Sequence, residues 1–391
     1  MSQVLLLCEY ATLGGGERSM LATLEGVCRA GFTPAALAPP DGPLADALRT
    51  RSVEVLPWVL RDAAGERLRK DRLRSRLVQL LRCRRPDLLH ANSLSMGRLS
   101  GPVAAELQLP SIAHLRDIIR LSDRAVADLN CHTRLLAVSQ ATRDFHAACG
   151  LAAEKLHVLY NGVDLQHFRP RPQSGYLHRE LGLPPEVELI GTIGQLSLRK
   201  GQDVLARAAA RLADRLPNVH YVIVGERHSQ KDESRSFEAA LRAAAEGPLA
   251  GRFHLLGYRH DVAEILGELT LLVHPARQEP LSRVLLESAA SGVAVIATDV
   301  GGTREIFPPE SSSARLVPAD DPDALAAAIL ELMGDEALRS DLAAAARRRA
   351  EEAFDAGRAA AALVEHYREL IQIRDRPTVL RPGQCRCFRQ A

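Results

Sequence analysis

The run Gln278-Glu279-Pro280-Leu281-Ser282-Arg283-Val284-Leu285-Leu286-Glu287 carries two carboxylates eight residues apart. It follows a predicted strand at 271–274 and opens a predicted helix, whose first N–H groups and dipole can hold an anion. At 1.5 Å of rise per residue the two glutamates lie roughly 12 Å apart, about the span from a sugar across a diphosphate to a ribose. Carboxylates that far apart cannot share a proton or a metal ion directly. They suit hydroxyl recognition at both ends of one ligand. The same residues also read as a solvated glutamate before a helix and a second on its outer face, and spacing alone leaves both readings open.

Other loops carry chemistry in similar places. Gly194-Gln195-Leu196-Ser197-Leu198-Arg199-Lys200-Gly201 follows a predicted strand at 189–193. Its glycines allow close backbone approach, and two adjacent cations can neutralise a diphosphate. Leu13-Gly14-Gly15-Gly16-Glu17-Arg18 lies between the first predicted strand and helix and can turn backbone N–H groups toward a phosphate or sugar. It is neither a P-loop nor G-x-G-x-x-G. Strand-end clusters occur at Ala113-His114-Leu115-Arg116-Asp117 and His90-Ala91-Asn92-Ser93. Further loops after predicted strands are Gly225-Glu226-Arg227, Gly257-Tyr258-Arg259-His260-Asp261 and Gly301-Gly302-Thr303-Arg304-Glu305.

These loops need a scaffold, and short apolar runs alternating with helical patterns supply one, the sign of βαβ units and parallel sheets. One series of predicted strands falls at 4–8, 33–38, 53–56, 88–90, 111–114 and 135–138. The segment at 158–164 reads as a strand ending in the Asn161-Gly162 turn. A second series falls at 189–193, 220–224, 253–255, 271–274, 293–297 and 314–317. The reading is an α/β chain of two Rossmann-like domains facing across a cleft. A first domain covers 1–170 and a second 171–355. A helix at 356–375 packs back on the first domain, and 376–391 forms a disordered tail.

Composition sets the remaining bounds. The chain has 391 residues, 46% hydrophobic and 25% charged, enough for full cores, but only 4% aromatic, so Leu, Ala and Val must build them. A formal charge of +2 is too small to make nucleic acid the main partner. The seven cysteines are odd in number and lack a Cys-x-x-Cys pair, which fits a reducing compartment rather than disulfides or zinc. No run reaches the roughly 18 to 20 apolar residues of a membrane span, and a cytoplasmic location is expected.

The Glu279…Glu287 pattern resembles the Glu-x7-Glu motif of retaining family-four glycosyltransferases of the GT-B fold, and the neighbouring loops match in order. The resemblance covers about residues 3 to 370 and is most specific over 190–305. It implies that Glu279 contacts the transferred sugar and Glu287 the ribose. Lys200 and Arg199 would hold the donor diphosphate and stabilise the leaving group. Many members carry Arg where this chain has Gln195, so Arg199 must supply the second cation. The segment Leu281, Ser282 and Arg283 would offer amides to the diphosphate, Gly15 and Gly16 would close over the phosphates, and Tyr258 and Arg259 would border the base. His114 would approach the sugar. Asp117 and, more weakly, Asn92 fall on the acceptor side.

The implied reaction moves a hexosyl-type sugar from a nucleotide diphosphate sugar to a saccharide or lipid-linked acceptor, with retention by front-face attack. No metal or other cofactor is expected, since no Asp-x-Asp motif stands in a suitable position. The basic stretch at 66–85, with Leu73, Leu77, Leu80 and Leu81 on one face, suits peripheral contact with anionic lipid on the inner membrane face. It also suits a packed surface helix. A non-hydrolysing sugar-nucleotide epimerase shares the two-domain plan and is the alternative.

Overall fold

A computed structural model describes residues 2–375 apart from 63 and 248, with side chains to residue 372. The expected tail at 376–391 lies outside the described residues.

Strands β1 (Ser2–Leu7), β2 (Phe32–Ala38), β3 (Glu54–Pro57), β4 (Leu88–Ala91), β5 (Ser111–Leu115), β6 (Arg134–Ala137) and β7 (Leu156–Val158) form one parallel sheet. Its order is β3-β2-β1-β4-β5-β6-β7. A second parallel sheet holds β8 (Glu188–Ile193), β9 (Val219–Val224), β10 (Phe253–Gly257), β11 (Leu271–His274), β12 (Val295–Thr298) and β13 (Arg315–Val317), in the order β10-β9-β8-β11-β12-β13. Helices cover both faces of such sheets, so central strands become continuous apolar runs. In β1, Val4 and Leu6 enter one core while Leu5 and Leu7 enter the other. Strand order reverses between β1 and β4 and again between β8 and β11, which opens a crevice at the carboxyl ends of each sheet.

Two stretches of chain join the halves, side by side. Val163 N donates to Phe354 O at 2.7 Å and Ala356 N to Val163 O at 3.0 Å. Only glycine fits at 162, where a Cβ would stand 2.6 Å from Ala356 Cα. Beyond this crossing the helix Ala356–Asp375 lies on the helix Gly15–Arg29. Its Leu363, Val364, Tyr367 and Leu370 share a core with Val4, Leu6 and Leu24.

The basic stretch takes the packed-helix form, starting later than its basic run. Its helix begins at Lys70, because Arg61 and Arg67 pair as an antiparallel bridge and Leu68 N donates to Leu60 O. Leu73, Leu77 and Leu81 are buried in the first-domain core, and Leu80 is half-buried against it. The apolar face is therefore occupied and cannot also enter a lipid surface. Lys70 and Arg74 pair with Asp128, and Arg84 with Glu54. No helix among the described residues is long and apolar enough to cross a membrane.

Candidate active site

Glu279 sits just past the end of β11, 4% exposed. Lys200 Nζ donates to its Oε2 at 2.5 Å, and His274 Nε2 lies 2.9 Å from the same oxygen. Burial pushes the carboxyl up, but Lys200, His274 and Arg199 overcome that and hold it well below the ordinary carboxylate range. Glu279 is thus a buried, ionised carboxylate. The backbone around it is tightly built. A Cβ at Gly301 (φ +51°) would meet Glu279 O at 2.0 Å, one at Gly302 would meet Pro280 O at 2.2 Å, and Gly302 N donates to Glu279 O. The paired glycines let this loop lie directly against the Glu279-Pro280 backbone.

The helix Arg283–Ala290 starts behind Ser282, whose side chain makes no cap, so the first N–H groups of this helix have no side-chain acceptor there. Leu281 and Ser282 are buried. Glu287 lies one turn into the helix, 8% exposed rather than on a solvated face. Arg283 Nε and Nη2 donate to Glu287 Oε1 at 3.2 and 3.0 Å, and Arg283 Nη1 reaches Ser19 Oγ and Gly162 O in the first domain at 3.2 and 3.3 Å. Arg199 Nη1 donates to Gln278 O at 3.1 Å, which places its guanidinium beside the Glu279 segment.

On the first-domain side the glycine loop opens the helix Gly15–Arg29 without a side-chain cap. A Cβ at Gly15 would approach Arg283 Cδ at 3.7 Å, and one at Gly16 would press on Arg116 Cδ at 2.9 Å. Arg116 is the main functional candidate that sequence reasoning missed. Its Nε donates to Asn92 O, its Nη2 to Asn92 Oδ1 and its Nη1 to Asn161 Oδ1, at 3.1, 2.9 and 3.0 Å. Burial brings this guanidinium down to about 10, with Glu17 acting to raise it, so it stays charged at neutral pH. The available signal was its place at a strand end, directly before Asp117. Asn92, only weakly indicated by sequence, proves to be its principal anchor.

His114, which the resemblance implies approaches the sugar, is buried in the first-domain sheet. It lies within β5, 4% exposed, its ring stacked on His90 at 5.5 Å. Its Nδ1 accepts from Arg116 Nη2 at 3.1 Å, and burial keeps it well below the ordinary histidine range. A strand-end arginine covers it, so the neutral imidazole supports Arg116 from beneath. Asp117, by contrast, is exposed at the strand end. Protein enclosing part of its carboxyl still raises it, against the pull of Arg199 and Arg116, while Glu279 also acts to raise it. Charges from both domains thus act on this one group.

Tyr258 accepts a hydrogen bond from Arg18 Nη2 at 3.1 Å, joining the β10 loop to the glycine loop. Arg259 is otherwise engaged. Its guanidinium is shared between Glu180 and Asp261 at 2.5–3.0 Å, so its side chain braces the loop. Among the described residues no group of three or more His, Cys, Asp or Glu side chains converges as a metal site would require.

Sequence comparison covers both halves. The family described as Glycosyltransferase Family 4 matches residues 13–167, and that described as Glycosyl transferases group 1 matches residues 187–335. The chain is 30% identical to a GDP-mannose-dependent alpha-mannosyltransferase of Mycobacterium tuberculosis over 70% of each chain. It is 26% identical to a D-inositol 3-phosphate glycosyltransferase of Kineococcus radiotolerans over 86% of this chain and 84% of that one. Among solved structures, Anabaena HepE in complex with UDP-glucose superposes with a TM-score of 0.81 at 22% identity, covering 94% of this chain and all of that one, a likeness of fold. With two parallel sheets facing across a crevice and both halves matched in order, the chain belongs to the family-four, group 1 glycosyltransferases of GT-B fold.

Proposed function

We propose that the chain transfers a hexosyl unit from a nucleotide diphosphate sugar to a saccharide or lipid-linked acceptor, with retention of anomeric configuration. The observation that carries this is the buried, ionised Glu279 held by Lys200 at the end of β11, with Glu287 on the next helix. Glu279 would accept from sugar hydroxyls and Glu287 from ribose hydroxyls. Lys200, Arg199 and the N–H groups at Ser282 and Arg283 would surround the diphosphate between them. As the bond from the anomeric carbon to the phosphate oxygen breaks, negative charge grows on that oxygen. Fixed cations and amides stabilise it more in the transition state than in the bound donor.

Arg116 and Asp117 would face the sugar and acceptor from the first domain, with Arg116 in the place the resemblance gives to His114. The chain's own cations meet the diphosphate charge, so the proposal includes binding without a metal ion. A thermal-shift panel of UDP, GDP, ADP and their sugar conjugates, on wild type and Glu287→Ala, tests the donor reading. Selective stabilisation by one conjugate, weakened in the variant, is expected; a flat panel would overturn it. An NMR time course of the first-formed anomer tests retention, and an inverted product would overturn that part.

A further inference from the structure

Arg277 belongs to no motif, yet it makes the densest polar contacts around the basic loop. Its Nη1 donates to Leu198 O at 2.6 Å and Asp203 Oδ1 at 2.8 Å, its Nη2 to Asp203 Oδ2 at 2.7 Å and Asp320 Oδ1 at 2.8 Å. Its backbone N donates to Arg199 O at 2.8 Å. Two successive carbonyls of the loop are thus tied to one residue, which lies two positions before Glu279 in the same segment. A planar guanidinium can hold a carboxylate bidentately and a carbonyl at once in fixed geometry; an ammonium, a single rotating donor centre, fixes neither so rigidly. The contact with Asp203 anchors the whole to the first turn of the helix Gln202–Leu212. The loop also approaches the β11 segment at Gly201, where a Cβ would stand 1.9 Å from Pro275 O.

We infer that Arg277 is a positioning residue for donor binding, acting through the loop to hold Lys200 and Arg199 where a diphosphate requires them. The inference rests on the diphosphate role proposed for Lys200. A cation displaced by a fraction of an ångström still pairs with Glu279 but no longer matches two fixed phosphate groups.

The test is a cycle read by calorimetric titration with UDP, GDP and ADP on wild type, Arg277→Lys, Lys200→Gln and the double variant. Arg277→Lys keeps a cation for Asp203 and Asp320, and Lys200→Gln keeps a donor for Glu279. We expect Arg277→Lys to weaken binding of the preferred nucleotide about tenfold in the wild-type background and less than about twofold in Lys200→Gln, with unchanged melting temperature. A full loss in both backgrounds, no loss in either, or loss through unfolding would overturn the inference. If wild type binds none of UDP, GDP and ADP, the donor reading falls with it; if it binds and the two effects simply multiply, only the role of Arg277 falls.

Discussion

Arg283 donates twice to a single carboxylate oxygen of Glu287 and, through its remaining nitrogen, to Ser19 and Gly162 of the other domain. The guanidinium therefore joins the proposed ribose carboxylate to the first-domain helix and to the turn beside the domain crossing. Removing it frees Glu287 Oε1 but severs that link. Arg283→Ala is expected to lower kcat more than it raises the KM for donor, because bound donor would then sit in a less firmly closed cleft. Steady-state kinetics with the donor found in the thermal-shift panel check this, and a pure KM effect would show that Arg283 serves binding alone.

Lys200 stands between Glu279 and the proposed diphosphate. In Lys200→Ala the buried carboxylate loses its closest cation, and removing one partner of a buried pair costs about 3–5 kcal/mol. Adding Glu279→Gln to Lys200→Ala should recover most of that stability without restoring activity. Urea denaturation of the two variants checks this; an equally unstable double variant would mean that the pair contributes nothing separable.

Glu305 of the second domain caps a helix of the first. Its carboxylate accepts from Gln140 N at 2.7 Å, Ala141 N at 2.8 Å and Tyr160 OH at 2.9 Å. Glu305→Ala strands two N–H groups at a helix start, a loss of about 1 kcal/mol. The expected result is a melting temperature lower by about 2 °C and a broader interatomic-distance distribution in solution scattering. Unchanged scattering would detach Glu305 from domain closure.

Histidines buried in neutral form set the acid limit of stability. His90, His114 and His132 are buried, with His90 lowered to about 3 and His132 to about 4, chiefly by burial, and His114 held well below the ordinary histidine range for the same reason. Each has a folded-state value below its unfolded one, so the unfolded chain binds more protons below about pH 6.5, and stability falls with pH from there. The slope is up to roughly 1.4 kcal/mol per pH unit for each histidine, until its folded value is reached. Glu279 acts later: its depressed value supports the fold above the ordinary carboxylate range and withdraws support only in stronger acid. Melting measured from pH 7.5 to 5 should fall, less steeply in His132→Gln; a flat profile would contradict neutral burial.

Metal independence is open to direct measurement. With Lys200 and Arg199 at the diphosphate, added chelator should leave the initial rate within about twofold, since these cations already supply the charge stabilisation. Loss of activity on chelation, restored by a divalent ion, would refute it.

Features that depend on neighbours along the chain are legible in the amino-acid sequence itself. Apolar runs mark twelve of the thirteen strands closely, mainly because the central strands are buried on both faces and so are largely apolar. The Glu279…Glu287 spacing and the glycine and basic loops follow strands and open helices, so local turn chemistry is enough to find them. Sequence patterning assigns no helix to Leu94–Glu106, which contains Gly97, Gly101 and Pro102. Close packing supplies the reason: a Cβ at Gly101 would lie 2.0 Å from Asp128 O, so tertiary contact outweighs poor helix propensity.

Which polar side chains would meet was decided only on folding. Arg116 reaches Asn161 across 45 residues, Arg277 reaches Asp203 across 74, and Glu305 reaches Gln140 across 165. Nothing in local periodicity encodes such pairs, and an arginine at a strand end looks alike whether solvated or enclosed. His114 shows the same limit from the other side. Its neighbours in sequence suggest a group facing ligand, but its burial and its contact with Arg116 come only from the packed sheet. Burial belongs to the packed sheet and helices together, and a buried charge persists only where the fold brings it enough hydrogen-bond partners.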